Sequence, residues 1–315
     1  MKIKPIDLSG VKTYPIASRK NKVSLAHDFA GEITKGMSVS SLLASLPNQL
    51  GGESLNAVIN AVVRAREKGK PVAIAIGGHV IKCGLQPALK KLIEADVITA
   101  VAMNGSATIH DYEISLIGET SEDVGAVLHC GTFGMAEETG RDINLALKNG
   151  TAEGLGYGES VGRFIVRNSN PHKEFSLLAT CFEKKIPATV HVAIGTDIIH
   201  QHPDCDGAVL GQATFTDFRI FTSVVSTLGS GGVFINIGSA VIMPEVFLKA
   251  LSITQNMGYH VDHFTTANFD MTQHYRPLQN VVKRPTAGDS RGLTITGHHE
   301  IMIPLLVAGI LDRIS

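Results

Sequence analysis

Residues 71–79 read PVAIAIGGH, a short apolar run that ends in two glycines and passes into a helix-like stretch. Four more runs along the chain end in the same way, at a glycine or a small polar residue. They are Val97–Met103, Ala188–Ile194, Val233–Ile237 and Leu293–Thr296. Short, nearly continuous apolar runs are typical of strands buried on both faces. The sequence therefore predicts an α/β protein with a parallel sheet sandwiched between helices.

Segments with apolar residues at helical spacing separate the runs and predict the helices that cover such a sheet. The predicted helices are Val39–Leu46, Ser54–Lys68, Leu85–Ala95, Thr108–Leu116, Met135–Lys148, Thr214–Leu228, Pro244–Asn256 and Ile301–Ile314. A sixth strand is predicted at His260–Thr266. The unbroken alternation favours a single domain over residues 1–315, in which 1–50 form an arm with a short helix and 51–315 form the Rossmann-like core.

The charge balance argues against a nucleic-acid partner. The 315 residues include 28 basic and 29 acidic side chains without a basic cluster, and the net charge is -1. The first ten residues lack the apolar core of a secretory signal, and no apolar run is long enough to span a membrane. The four cysteines form no C-x-x-C pair. We therefore expect a cytoplasmic protein with free thiols and no membrane partner.

The glycine-containing ends of the five runs, which we call the strand tips, are the expected ligand site. In parallel sheets ligands bind beyond the carboxyl ends of the strands. A glycine there allows a sharp turn and close approach of a phosphate, and the next helix offers free N–H groups. Glycine is also common in such turns without a ligand. With five tips in one sheet, we expect several to line a crevice, although no G-x-G-x-x-G occurs at the first tip.

Histidines and carboxylates cluster in two places. Residues 200–206, HQHPDCD, could bind zinc, but Pro203 makes the segment a loop and a solvated loop is the stronger interpretation. Residues 298–300, HHE, follow the last strand, where acid–base chemistry and helix capping are equally supported. Residues 110–111 raise the same question after the second tip. His191 lies inside a strand and is interpreted as a hydrogen-bonded core residue. Without a G-x-S-x-G elbow, a nucleophilic hydrolase is disfavoured.

Six segments occur in a familiar order between residue 71 and the C-terminus. They read GGHVIKCGL, VITAVAMNGSATIHD, KKIPATVHVAIGTD, NIGSAV, FTTANFD and IPLLVA. In this order and spacing the chain resembles the deoxyhypusine synthase family. The resemblance implies a Rossmann-like sheet, a homotetramer and NAD bound near subunit interfaces. In that family NAD oxidises the polyamine spermidine. The enzyme is a transferase, since an aminobutyl group then passes through an imine on a lysine to a lysine of a translation factor.

The chain departs from the family at several positions that carry the family's catalytic residues. The family's lysine position falls at about Pro285, and Lys283 lies close by with different spacing and surroundings. The family's Lys-His-His after the glycine turn is replaced by Met243-Pro244-Glu245. The acidic residue before the last helix is replaced by His298. Asp197 matches the family's Thr-Asp pair and could anchor an amine, or cap a helix.

The resemblance carries over two sets of site residues. The catalytic set is Asp197, His298, His299 and Lys283, of which Lys283 is more easily explained as a surface lysine. The cofactor-binding set for NAD is Gly78, His79, Asn104, Gly105, Ser106, Gly238, Ser239 and Thr266. Ser239 adds a side chain where the cofactor would approach, which slightly weakens the case for NAD. No metal ligand is assigned.

The sequence thus favours a divergent NAD-dependent enzyme that oxidises a small amine or transfers its aminoalkyl part. Asp197 would hold the ammonium group, and His298 or His299 would handle protons. Without a clear imine-forming lysine, true deoxyhypusine synthesis is disfavoured. The partners expected are a small-molecule amine and further copies of the chain. Two alternatives stay open: a nucleotide- or metabolite-binding protein without catalysis, and a metal-dependent hydrolase that uses the His200–Asp206 cluster.

Overall fold

A computed structural model describes residues 3–314 and contains one six-stranded, all-parallel sheet. The strands are β1 Val72–Ile76, β2 Ala100–Asn104, β3 Ala188–His191, β4 Val233–Ile237, β5 Thr265–Asp270 and β6 Arg291–Thr296. Their order across the sheet is β3-β2-β1-β4-β5-β6. The order reverses direction between β1 and β4, as in a doubly wound Rossmann-type sheet. The predicted α/β class and Rossmann-like sheet are confirmed.

Helices connect the strands and cover both faces of the sheet. The helices are α1 Val39–Ser45, α2 Leu50–Glu67, α3 Gly78–Lys82, α4 Gln86–Glu94, α5 Gly105–Ile117, α6 Val124–Val127, α7 Glu137–Ala152, α8 Tyr157–Arg167, α9 Leu177–Lys184, α10 Gly207–Ser226, α11 Ile242–Asn256, α12 Tyr275–Pro277 and α13 His299–Arg313. A π-helical turn, Leu278–Lys283, follows α12, and a 3-10 turn, Ile198–Gln201, follows β3.

Three strand predictions have shifted boundaries, each for a local reason. Val97 and Ile98 donate to Leu92 O and so close α4, which delays β2 until Ala100. The predicted run to Ile194 stops at His191, because the next residues turn at Gly195 with φ 98°. The sixth strand begins at Thr265 rather than His260, since the preceding residues are irregular and the backbone bends at His263, which has φ 51°.

Alternate residues of the central strands enter separate cores on the two faces of the sheet. On β1, Val72, Ile74 and Ile76 join the larger core, while Ala73 and Ala75 face the other. Alanines on that second face leave room for aromatic rings from α10, β4 and α11. Two of these rings stack with a centroid separation of 3.9 Å, Phe234 and Phe247. This layering confirms the prediction of a sheet sandwiched between helices.

The N-terminal segment of the described chain has little regular structure. Residues 3–37 are almost all exposed, and their regular element is one 3-10 turn, Ile16–Ser18. A backbone hydrogen bond from Gly31 to Ser45 O ties the segment to α1. The division into an arm and a core stays a prediction. None of the helices within residues 3–314 combines the length and the apolar character that crossing a membrane requires.

Candidate functional site

A cavity of about 940 Å³ opens at the carboxyl edge of the sheet, beside the tips of β2 and β3. Its walls come from α3, α5, the loop after α5, the start of α7 and the turn after β3. Five carboxylates and one lysine are among its lining residues. They are Glu113, Glu119, Glu122, Glu138, Asp197 and Lys82. We call this space the acidic cavity.

Asp197 lies at the floor of the acidic cavity, where its side chain is 11 % exposed. The carboxylate packs directly against the second tip, since a Cβ on Gly105 would collide with Asp197 Oδ2. Burial raises the pKa of Asp197 to about 6. A carboxylate that has lost water in this way gains more from a cationic partner than an exposed one does.

His200 lies beside Asp197 but does not supply that cation. Its Nδ1 accepts hydrogen bonds from the backbone N–H groups of Gly195, at 3.0 Å, and Asp197, at 3.1 Å. The proton of the neutral ring is therefore on Nε2, which is 3.8 Å from Asp197 Oδ2. Burial lowers the pKa of His200, which further favours the neutral ring. The negative charge of Asp197 is thus left for a ligand to neutralise.

A chain of polar side chains forms another wall of the cavity. His110 Nδ1 is 2.7 Å from Thr120 Oγ1, and the Thr120 hydroxyl donates a short hydrogen bond to Glu113 Oε2. Thr139 Oγ1 donates to the other oxygen, Glu113 Oε1, at 3.0 Å. These contacts join α5, the following loop and the start of α7. All four side chains line the cavity.

The tips of β1 and β4 meet at the centre of the same edge, and we call residues 77–79 and 238–239 the central tips. Gly77 donates to Ile237 O at 3.0 Å, and a Cβ on Gly77 would collide with Gly238 O. His299 is 2 % exposed, and its Nε2 would be 2.7 Å from a Cβ on Gly238. His299 Nδ1 is buried without a hydrogen-bond partner within residues 3–314. Burial lowers the pKa of this ring.

The predicted cofactor residues fall into two groups. Asn104, Gly105 and Ser106 lie at the β2 tip, where Ser106 lines the acidic cavity and Asn104 Oδ1 caps α5 by accepting from Ala107 N at 3.0 Å. Gly78, His79 and Gly238 belong to the central tips, where His79 is exposed with its ring centroid 6.1 Å from that of His299.

Two of the predicted cofactor residues are occupied by internal contacts. Ser239 is 2 % exposed, and its Oγ accepts from Met243 N at 3.2 Å, at the start of α11. Thr266 is the second residue of β5, fully buried, and donates to Val281 O at 2.7 Å. Thr266 therefore lies inside the fold rather than at a strand tip.

The predicted catalytic residues are not brought together. Asp197 lines the acidic cavity, whereas His299 packs against the central tips. His298 is exposed and lies 3.7 Å from Glu300. Lys283 is exposed on the π-helical turn, which packs against β5, β6 and α11 on the opposite half of the sheet. The lysine that lines the cavity is Lys82.

The His200–Asp206 cluster does not converge on a common point. Asp206 caps α10 by accepting from the N–H groups of Ala208 and Val209, and the ring of His202 packs against Gly140 of α7. Within residues 3–314 no group of three or more His, Cys, Asp and Glu side chains is arranged to hold a metal ion. His191 is buried as expected, 3.0 Å from Thr189 Oγ1 and edge-on to Phe221.

Sequence reasoning missed most of the residues that form the cavity. Glu113, Thr120 and Thr139 carry no recognisable motif, and Lys82 was not singled out. One usable signal was present: His110 and Glu113 are three residues apart on a predicted helix, so they share one face.

Comparison with known proteins identifies the fold. No family model matches the sequence, and no curated protein matches it. Among solved structures, a candidate deoxyhypusine synthase from Entamoeba histolytica is similar with a TM-score of 0.55 and 11% identity, over 89% of this chain and 96% of that one. The chain has a deoxyhypusine synthase-like fold. The predicted resemblance is confirmed at the level of the fold.

Two further solved structures share this architecture. A conserved candidate LOR/SDH protein from Methanococcus maripaludis S2 has a TM-score of 0.52 and 16% identity, over 89% of this chain and 72% of that one. AgrE in a ternary complex with ornithine and NAD+ has a TM-score of 0.51 and 14% identity, over 82% of this chain. The match spans 32% of AgrE, about a third of that protein. At these identities the likeness shows a common fold.

Proposed function

We propose that this protein is an NAD-dependent enzyme that oxidises a small molecule carrying an ammonium group, which it holds in the acidic cavity. One observation carries the proposal: five carboxylates and one lysine line a cavity at the carboxyl edge of a Rossmann-type sheet. Such an excess of negative charge in a confined space favours a cationic ligand. At the floor of the cavity, burial removes the Asp197 carboxylate from water and raises its pKa to about 6.

NAD as the cofactor is supported by AgrE, a protein that contains a similar fold and has been crystallised with ornithine and NAD+. The central tips fit a dinucleotide in one specific respect. His299 packs against Gly238 at the point where the strand order reverses, and within residues 3–314 its buried Nδ1 has no hydrogen-bond partner. A cofactor hydroxyl or phosphate oxygen would satisfy that nitrogen. The glycines alone are weaker support, because contacts within the chain already require Gly77 and Gly105 to be glycine.

Amine binding is assigned to the acidic cavity, and cofactor binding is assigned to the central tips. Asp197 and the surrounding glutamates bind and orient the ammonium group, and the apolar side chains of Ile109 and Phe133 exclude water from part of the cavity wall. NAD, when bound, accepts a hydride. Transfer of an aminoalkyl group through Lys283 has no support, because Lys283 lies outside the cavity. A homotetramer and a polyamine as the specific amine stay predictions.

Calorimetric titration with a series of diamines and with ornithine, with and without NAD, tests the proposal. We expect a cationic amine to bind, and NADH absorbance to appear when NAD is added. Asp197→Asn should weaken amine binding at least about tenfold, because it removes the buried carboxylate. Glu67→Gln is the matched control, since it removes one exposed negative charge at the end of α2.

The outcomes separate the competing functions. Equal amine affinity in Asp197→Asn and wild type would contradict the binding site. Amine or nucleotide binding with no NADH formed for any amine tested would favour the alternative of a binding protein without catalysis.

A further inference from the structure

We propose that His110 is the general base of the acidic cavity, and that Thr120 and Glu113 are positioning residues that fix which of its nitrogens can accept a proton. The inference rests on the proposed function, because the proton comes from the ammonium group held there. It assigns a role to three side chains that the sequence resemblance does not include.

The direction of the hydrogen bonds follows from counting protons. The Thr120 hydroxyl has one hydrogen, which it donates to Glu113 Oε2. Its oxygen therefore acts as acceptor toward His110 Nδ1, 2.7 Å away, so that Nδ1 carries a hydrogen. In the neutral ring, Nε2 is then the nitrogen with the free lone pair.

This direction requires Glu113 to be ionised, and its surroundings ensure that. Burial alone would raise the pKa of Glu113, but the neighbouring His110 ring and the hydrogen bonds from Thr120 and Thr139 together outweigh burial and lower it. The carboxylate also accepts from Thr139 Oγ1 through its second oxygen. An ionised carboxylate has no hydrogen to donate to Thr120, so the directions of the hydrogen bonds from His110 through Thr120 to Glu113 are fixed.

The free nitrogen is available to a ligand. His110 lines the cavity, its side chain is 14% exposed, and within residues 3–314 no hydrogen bond to Nε2 is formed. Its Cδ2 faces the first tip, 3.3 Å from where a Cβ on Gly78 would lie. Because Gly78 has no side chain, the space beside the Cδ2–Nε2 edge of the His110 ring stays open.

The proposed step is a proton transfer that leaves a neutral amine. An N–H bond of the ammonium group breaks, its electron pair stays on the amine nitrogen, and the proton forms an N–H bond at His110 Nε2. The resulting imidazolium is stabilised by Glu113, whose Oε2 is 3.8 Å from Nδ1. A neutral amine can release a hydride from its adjacent carbon, whereas an ammonium group cannot supply the electron pair.

The other charged groups around the ring are mostly acidic. Lys82 faces it from α3, Glu119 and Glu122 from the loop after α5, Glu138 from α7 and Asp197 from the turn after β3. The carboxylates favour the imidazolium formed in the step, and Lys82 opposes it. The same carboxylates attract the cationic ammonium group into the cavity, so the ammonium group is the expected proton donor.

Nitrogen-15 NMR of histidine-labelled protein tests the assignment without any substrate. At a pH where the ring is neutral, His110 should have its hydrogen on Nδ1, and Thr120→Val should shift the ring toward the form with hydrogen on Nε2. Thr227→Val, at an exposed threonine beyond α10, is the matched control and should leave the His110 signals unchanged. A hydrogen on Nε2 in the wild-type protein would overturn the proposal.

Kinetics then separates the base from the proposed function. His110→Gln should lower kcat by about 100-fold or more, with amine affinity unchanged, and added imidazole should restore part of the rate. Wild-type rates in His110→Gln would overturn the role of His110 as the base, while leaving the proposed NAD-dependent amine oxidation intact. Absence of NADH formation by the wild-type protein with every amine would instead overturn the proposed function, whatever the NMR shows.

Discussion

The acidic cavity and the central tips lie on the same edge of one sheet, but the central tips are closely packed whereas the cavity is open. At the central tips the chain packs against itself, with Gly77 against Gly238 and His299 against Gly238. Beside β2 and β3 the edge is open, and carboxylates line the gap. A glycine at a strand tip therefore says little about ligands by itself. The charge of the side chains gathered around the tip is the better guide.

The largest effect should come from filling the contact between the central tips. Gly77→Val places a Cβ against the backbone of Gly238, which no side-chain movement can relieve. We expect the free energy of unfolding to fall by about 3 kcal/mol or more, measured by urea denaturation. Gly207→Ala is the control, because no atom lies within 4 Å of its new Cβ, and stability should stay unchanged or rise by up to about 1 kcal/mol. A stable Gly77→Val protein would show that the tips do not touch.

The second effect concerns a buried carboxylate on α10, Asp217, which joins β3 to α8. Its Oδ2 accepts from Val190 N at 2.6 Å and from Gly158 N at 2.8 Å. Asp217→Ala leaves two buried N–H groups unpaired and should cost about 3 kcal/mol. Asp217→Asn keeps an acceptor oxygen and should cost less than about 1 kcal/mol near pH 4, where the folded wild-type carboxyl is also neutral. Equal losses in the two variants would contradict the role of these hydrogen bonds.

The same carboxyl predicts how stability changes with pH. Burial raises the pKa of Asp217 to about 8 in the folded protein, above the ordinary value of 3.8. The stability that this group contributes is complete below about pH 4 and is lost as the pH rises toward 8, because the unfolded chain ionises first. Denaturation of the wild-type protein and of Asp217→Asn between pH 4 and pH 8 should therefore show a steeper decline for the wild type.

A smaller effect should appear in how the affinity of the acidic cavity for an amine depends on pH. Burial raises the pKa of Asp197 to about 6, and an ammonium ligand binds the ionised form. Affinity should be constant above pH 7 and fall by up to about tenfold per pH unit below 6. Calorimetry between pH 5 and pH 8 measures this decline. Asp197→Asn should lack it, and a decline of the same size in that variant would assign it to another group.

The sheet could be predicted from sequence because its information is local. Each strand is a short apolar run next to a turn, as at 233–237, and errors arose where helix-closing bonds or a positive φ interrupted the run, as at His263. The acidic cavity could not be predicted, because its parts are distant in the chain. Glu113 and Asp197 are brought together by a strand order that no short pattern encodes.

The smallest effect should come from Ser239, which sequence reasoning placed beside the cofactor. In the structure its Oγ accepts from Met243 N at 3.2 Å and supports the start of α11. Ser239→Ala should therefore lower stability by about 1 kcal/mol, as loss of a capping hydroxyl does. Its affinity for NAD should stay within about twofold of wild type, since the side chain is buried. A clear gain in NAD affinity, measured by calorimetry, would show instead that the hydroxyl obstructs the cofactor and that the central tips open when it binds.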